Sequence, residues 1–334
     1  MLLTQLCLPS VPDPRFLFLQ DRATLRQYQA RAPGTHRNHK TGAATYIAFM
    51  RWAGLNLVSP SPSTVCVYIE YLSLHMPAPA TVRNYISHAR IHLILAEHVT
   101  LPLSDPRVSR ALDGLDRTKE HTPKEKPPLP MQVLRGIITA LEDTPVDRVV
   151  KAAYLLMYYA ALRQSEVAPP SVKGFRSTSH LTRGDISFSG PNMTVNIRSG
   201  KNLQKCSQHK KVDLAPSPDK NLCVIAAMLQ VIMDTPTEAP TEPCFMFPVE
   251  RTPMPVTFLN KRWNEIFSDL GIPHRDYTLH GLRVTAASVA FQAGVPELDI
   301  QRYGGWRSQA HRTYIKAKAL TGVNKSLIQS LART

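Results

Sequence analysis

The sequence predicts a mainly α-helical protein carrying one small antiparallel β-sheet, organised as two domains. Apolar residues recur at helical spacing along most of the chain, one stretch after residue 185 switches to strand spacing, and a charged, proline-rich segment interrupts both patterns. With 334 residues the chain has room for two domains of the usual size, about 100 to 200 residues each.

Residues 1–34 form an N-terminal extension that opens on "MLLTQLCLPSVPDPRF". Its apolar patch lacks a basic leader and is cut by prolines, so it does not read as a signal peptide, and the protein is expected to stay inside a cell. Residues 35–116 read as a helical domain. The periodic stretch from Asn38 to Leu55 places Ala44, Ile47 and Ala48 inward and begins with Arg37, His39 and Lys40. "SPSTVCVYIEYLSLH" supplies a second helix opening on Ser-Pro cap chemistry. In "PATVRNYISHARIHLILAEH" one apolar stripe runs through Val82, Ile86, Ala89 and Leu93, leaving Arg83, His88 and Arg90 largely off it. Cationic residues near the ends of such helices can grip a phosphate backbone, and an ordinary bundle with a solvated basic face fits them equally well.

The segment 117–130, "RTKEHTPKEKPPLP", replaces apolar periodicity with charge and four prolines and reads as an extended linker. Residues 131–334 are mixed. "VVKAAYLLMYYAALRQSEV" is a nearly all-apolar helix with Ala152, Leu155, Leu156 and Tyr159 at buried spacing, and it delivers Arg163 at its end. Met193, Val195 and Ile197 then alternate with Thr194, Asn196 and Arg198, which is strand spacing, and Lys201 falls in the second hairpin loop. Helices resume from Asn221 to Met233, from Val256 to Leu270 and after Thr278, which can cap the last of them.

Charge narrows the function. Forty Lys and Arg against 25 Asp and Glu give a net +15 and a pI of about 9.8, spread over the whole chain, the footprint of a nucleic-acid binder. Hydrophobic content of 43% and a mean hydropathy of −0.18 exclude a generally disordered chain, and no apolar run approaches the roughly 18 residues of a membrane span. Five scattered cysteines give no disulfide framework. Cys206 and His209 are spaced as a half-site for zinc, but a second pair of ligands is missing, so no metal is expected.

The densest information lies in "YTLHGLRVTAASVAFQAGVPELDIQRYGGWRSQAHRTYIKAK", Tyr277 to Lys318. His280 and Arg283 share one face near a helix start, where free backbone N–H groups already favour an anion. Gly294 and Pro296 break and restart the chain, Glu297 sits in the next first turn, and Gly304 and Gly305 end that helix and release Trp306. Tyr314 follows.

The order Arg163, Lys201, His280-x-x-Arg283, Trp306, Tyr314 resembles the tyrosine recombinase family, the phage integrase and Cre-like enzymes, over roughly residues 35 to 330. "ALRQSEV" looks like that family's first-arginine motif, with Glu166 supporting Arg163. "IRSGKN" places Lys201 where the family's lysine sits between two strands, "LHGLR" matches its His-x-x-Arg box, and "GVPELDIQRYGGW" matches its Gly-rich segment. Val284 stands where a second histidine is common, and "YGGW" replaces the family's "LGH".

The resemblance implies a DNA-breaking-rejoining enzyme fold, with a helical core-binding domain and a mixed α/β catalytic domain. It also implies cleavage of double-stranded DNA through a 3′-phosphotyrosyl bond to Tyr314. Arg163 and Arg283 would clamp the non-bridging oxygens, His280 would accept or position the nucleophile's proton, Lys201 would protonate the leaving oxygen, and Trp306 would supply an N–H donor and a packing surface. No metal or cofactor is required. Arg37, Lys40, Arg83, Arg90 and Lys205 are the candidate phosphate contacts. The apolar stripe Val323, Leu327, Ile328 and Leu331 would dock into a neighbouring protomer, giving a homodimer or homotetramer on DNA, or pack on its own domain. A type IB topoisomerase with the same residue set and a non-catalytic DNA-binding protein derived from a mobile element are the competing readings. "RYGGWRSQ" and the many prolines look like recombinases of eukaryotic mobile elements, such as cryptons and DIRS-type retroelements, for which the compartment would be the nucleus.

Overall fold

The computed structural model describes residues 13–122, 127–198, 210–273 and 277–306, together with residues 309, 312 and 315. The chain divides into two units, Met1–Lys124 and Glu125–Thr334.

The first unit holds α1 (Pro14–Gln29), α2 (Pro33–Trp52), α3 (Pro62–His75), α4 (Pro79–Ala96) and α5 (Pro106–Thr118). All five begin on proline, which costs a helix nothing at its first position because that N–H has no helical acceptor to lose. Ser61 caps α3 by accepting from the Thr64 N–H at 3.1 Å, and Asp105 caps α5 by accepting from the Arg107 N–H at 2.9 Å.

On α4 the stripe Val82, Ile86, Ala89 and Leu93 is buried as its spacing predicts. The register expected for α2 is corrected: Ala43, Tyr46, Phe49 and Met50 are buried, Ala44 and Ala48 are exposed, and Ile47 is half-buried. The aromatic rings decide this, because Tyr46 and Phe49 bury far more surface than alanines and pack on Tyr68 at ring distances of 5.3 and 5.1 Å. Gly42 lets α2 approach α4: a Cβ there would lie 2.6 Å from the His88 Cβ and 2.8 Å from the Ala89 backbone nitrogen. His39, expected among the cations that open this helix, is buried instead. Burial, then the charges of His88 and His36, hold its imidazole below the usual value.

The second unit runs α6 (Met131–Ala140), α7 (Pro145–Tyr159), α8 (Gln164–Val167), β1 (Ile186–Ser189), β2 (Asn192–Ile197), β3 (Lys210–Leu214), α9 (Val224–Asp234), α10 (Val256–Asp269), α11 (Leu279–Gln292) and α12 (Glu297–Gly304). The strands form one antiparallel sheet in the order β1-β2-β3, with Val195 opposite Ile186 on one side and Val212 on the other. Met193, Val195 and Ile197 face the core, where α7 is buried along most of its length. The Tyr154 hydroxyl, deep in that core, donates to the Leu259 carbonyl at 2.8 Å. The helix expected from Asn221 begins three residues later, because Asp219 accepts from the Asn221 N–H at 3.0 Å and holds Lys220–Leu222 in a tighter turn. Thr278 does occupy the cap position of α11, but its side chain makes no capping hydrogen bond.

Lys201, Lys205, Cys206, His209, Tyr314 and the stripe from Val323 to Leu331 lie outside the described residues. Among the described residues no group of His, Cys, Asp and Glu is placed to hold a metal ion, and no helix is long and apolar enough to cross a membrane.

Candidate active site

The site begins where α7 stops. The Leu162 N–H reaches back to the Met157 carbonyl at 3.0 Å and the Ala161 N–H to that of Tyr158 at 3.1 Å, with Ala161 at a φ of +47°. This is a helix-ending turn in which glycine is usual, and an alanine methyl there carries strain. The turn delivers Arg163 to the start of α8. Glu166, itself buried, accepts from the Arg163 backbone N–H at 2.8 Å and from its guanidinium Nη1 at 2.7 Å. One carboxylate therefore holds both the backbone and the head of Arg163. A charge this buried needs such partners to be tolerated.

Arg283 lies on α11 with no solvent exposure. Its Nη1 donates to the Ala161 carbonyl and stands 3.9 Å from Glu166, and its Nη2 donates to the Gly304 carbonyl at 2.7 Å. The guanidinium carbon is 4.2 Å from the centre of the Trp306 ring, a cation–π contact worth about 2 kcal/mol when desolvated. His280, one turn earlier on α11, is partly buried.

The two glycines of "GGW" have separate reasons. Gly305 takes a φ of +67° and closes α12 with a left-handed turn, from which the Trp306 N–H returns to the Gln301 carbonyl at 3.0 Å. This return folds the indole against Gly304, where any added Cβ would overlap the ring at Cζ3, Cε3 and Cη2. Trp306 also packs with Ala287, Ile300 and Ile315.

Of the residues singled out from sequence, the structure thus gathers Arg163, Glu166, Arg283 and Trp306 around one turn, with His280 on the helix of Arg283. Sequence reasoning did not single out Lys210. Lys210 opens β3; its Nζ donates to the Ala160 carbonyl at 3.2 Å and lies 5.6 Å from the centre of the Tyr303 ring. Burial, then the positive charge of Arg283, pushes its amine down to about 8, with Glu166 opposing. The signal was present: counting back in twos from Leu214 and Val212, both buried, puts Lys210 on the inward face.

In the first unit Arg37, Lys40 and Arg90 are exposed. Arg83 is instead held by Asp116 at 2.6 Å and Asp113 at 3.1 Å.

No family model matches the chain, and no curated protein matches it. Solved structures do. A lambda integrase dimer bound to a COC′ core site is 15% identical, with 88% of this chain and 95% of that chain covered at a TM-score of 0.56. The Tn1549 transposon integrase in complex with circular intermediate DNA is 15% identical, covering 78% and 82% at 0.52. XerH site-specific recombinase in a post-cleavage complex with palindromic difH substrate is 14% identical, covering 77% and 67% at 0.52. The fold of this chain is that of the integrases and site-specific recombinases, the family its motifs resemble.

Proposed function

We propose that the protein is a site-specific DNA recombinase that cleaves and rejoins double-stranded DNA through a 3′-phosphotyrosyl bond to Tyr314. The observation that carries this reading is the convergence of Arg163, Glu166, Arg283 and Trp306, drawn from three distant stretches of sequence, on one turn of a recombinase-like fold. The Tyr314 oxygen attacks the scissile phosphorus and the bond to the 5′ oxygen breaks. His280 receives or positions the phenolic proton, and Lys201 supplies a proton to the leaving 5′ oxygen. Arg163 and Arg283 stabilise the charge that grows on the non-bridging oxygens. Attack by a second 5′ hydroxyl reverses these steps and releases Tyr314, so the energy of the cleaved linkage is kept and no metal or cofactor enters.

Arg37, Lys40, Arg90 and Lys205 contribute phosphate contacts, Arg83 less so, and the active assembly is a homodimer or homotetramer on DNA. Such a substrate places the work inside the cell, and in the nucleus if the host is eukaryotic. The test is a pool of nicked duplexes with randomised flanks, in which the cleaved end diffuses away and the covalent complex accumulates. Adduct is expected from the wild-type chain and not from Tyr314→Phe. Equal adduct from the two, or none from either, sinks the reading.

A further inference from the structure

Four histidines of the first unit meet at the junction of α1, α2 and α4, and the chemistry proposed above gives them no task. The His36 ring stacks on that of Tyr28 with centres 4.1 Å apart, and the His39 ring stands 6.1 Å from His36 and 5.5 Å from His88 of α4. His92 follows His88 by one helical turn. Between the three helices lies a cavity of about 290 Å³. Tyr28 of α1, His36, His39 and Lys40 of α2 and His92 of α4 are in its wall, and none of the described residues lining it is a carboxylate.

Donors are left over in this wall. His39 is only 4% exposed, yet its ring makes no hydrogen bond among the described residues. A buried polar ring without a partner is costly, and an anion would supply one. The His36 Nε2 meets the Tyr28 carbonyl at 2.7 Å, and a carbonyl can only accept, so the proton of the neutral ring sits on Nε2. A second proton goes to Nδ1 and adds both a donor and a charge. The titratable and charged groups facing His39 are Tyr28 from α1, Arg31 from the turn after it, His36 and Lys40 from α2, and His88 and His92 from α4. Burial, then the charges of His88, His36, Arg31 and His92, holds the His39 imidazole below its usual value. Protons brought here without a counter-charge are repelled; with an anion seated they are kept.

We propose that this junction is a proton-linked phosphate site, in which a DNA backbone phosphate seats against Lys40 and draws protons onto the histidine cluster. The proposal rests on the DNA-binding half of the recombinase reading and is independent of cleavage. Lys40 supplies the permanent charge, and His36, His39 and His92 supply charge only when protonated. Binding therefore takes up protons, so affinity rises as the pH falls and is lost as the pH rises.

The experiment reads duplex binding by fluorescence anisotropy at constant ionic strength, using the full chain as wild type, as the double variant His36→Gln with His92→Gln, and as His75→Gln. The last is the control, since His75 on α3 does not line the cavity. Each proton taken up changes affinity by about tenfold per pH unit, and imidazoles titrate between about pH 5 and 8. Wild type and His75→Gln should tighten at least about tenfold from about pH 8 to about pH 6, and the double variant should lose most of that tightening. Equal tightening in the double variant, or none in wild type, overturns the proposal. Should the double variant fail to fold, His92→Gln alone decides. Calorimetry of duplex binding in buffers of different ionisation heat must show it taking up fewer protons than wild type, and equal uptake overturns the idea. Inorganic phosphate is the second probe: if it raises the melting temperature of wild type at the lower pH as much as duplex does, the site holds free anions and the assignment to the DNA backbone falls. Covalent adduct without pH-linked binding would strike this proposal alone, and pH-linked binding without adduct would strike the recombinase reading alone.

Discussion

Gly304→Ala is the smallest change that tests the geometry around Arg283. The added methyl would overlap the Trp306 ring, and carbon atoms pack at about 3.5–4.0 Å, so the indole has to leave its place. Leaving it, the ring forfeits its cation–π contact with a buried guanidinium, about 2 kcal/mol. Crowding adds about 1–3 kcal/mol, and replacing glycine in a helix returns at most about 1 kcal/mol. A net loss of at least about 2 kcal/mol lowers the melting temperature of a unit this size by at least about 4–8 °C. If the same loss is felt in the transition state, covalent adduct forms at least about thirtyfold more slowly. Thermal unfolding by circular dichroism reads the first effect, and adduct formation on the nicked pool reads the second. A double-mutant cycle isolates the cause: in a Trp306→Ala background, Gly304→Ala meets no ring and should be neutral or slightly stabilising. The reasoning is refuted if Gly304→Ala is as stable as wild type with Trp306 present, or is equally harmful with it gone.

Two further outcomes concern the first unit. Gly42→Ala forces a methyl against the backbone of α4, which cannot swing aside as a side-chain tip can, and should cost about 1–3 kcal/mol in urea unfolding despite the better helix propensity of alanine. Arg90→Ala should weaken DNA binding at every sequence and reduce the salt slope by about one unit, while Arg83→Ala, already engaged by two aspartates, should change the slope little and cost the unit about 0.5 kcal/mol or less; equal slopes for the two variants would show that the aspartates do not occupy Arg83.

Legibility from sequence followed the range of the forces involved. The stripe on α4 and the alternation of β2 are local, since each residue's neighbours along the chain decide which face it joins, and both could be read directly. The face of α2 was misplaced because its choice rests on Tyr68 and His88, which come from other helices. Prolines were legible in part: Ser61-Pro62 read as a helix start, while those of residues 1–34 read as breaks, yet in the first unit every described helix opens on one. At the site, motif order identified Arg163, Glu166 and Arg283, but it carried no sign that Arg283 is buried. Its acceptors are the backbone carbonyls of Ala161 and Gly304, and backbone acceptors leave no mark on residue identity. "GGW" was legible as a helix end only; the second reason for its glycines, room for the indole, exists once the chain has folded back on itself.

Those carbonyls explain how a site whose described residues include three cations and one carboxylate can be built into a protein interior. Arg163, Arg283 and Lys210 repel one another, and the usual remedy, a carboxylate for each, would cancel the positive field that the proposed reaction requires. Here a single carboxylate, Glu166, is spent on orienting Arg163, while Arg283 and Lys210 bond to the neutral carbonyls of Ala161, Gly304 and Ala160. A carbonyl satisfies an N–H donor and leaves its positive charge in place. The Trp306 face does the same for the flat side of the Arg283 guanidinium. To aim two consecutive carbonyls, Ala160 and Ala161, at two different cations, the chain must turn sharply after α7, and the positive φ of Ala161 is the cost of that turn. Backbone strain at Ala161 and surplus positive charge are therefore two sides of one arrangement, and relieving either by a carboxylate or a straighter chain would remove the positive field on which the proposed cleavage of a phosphodiester depends.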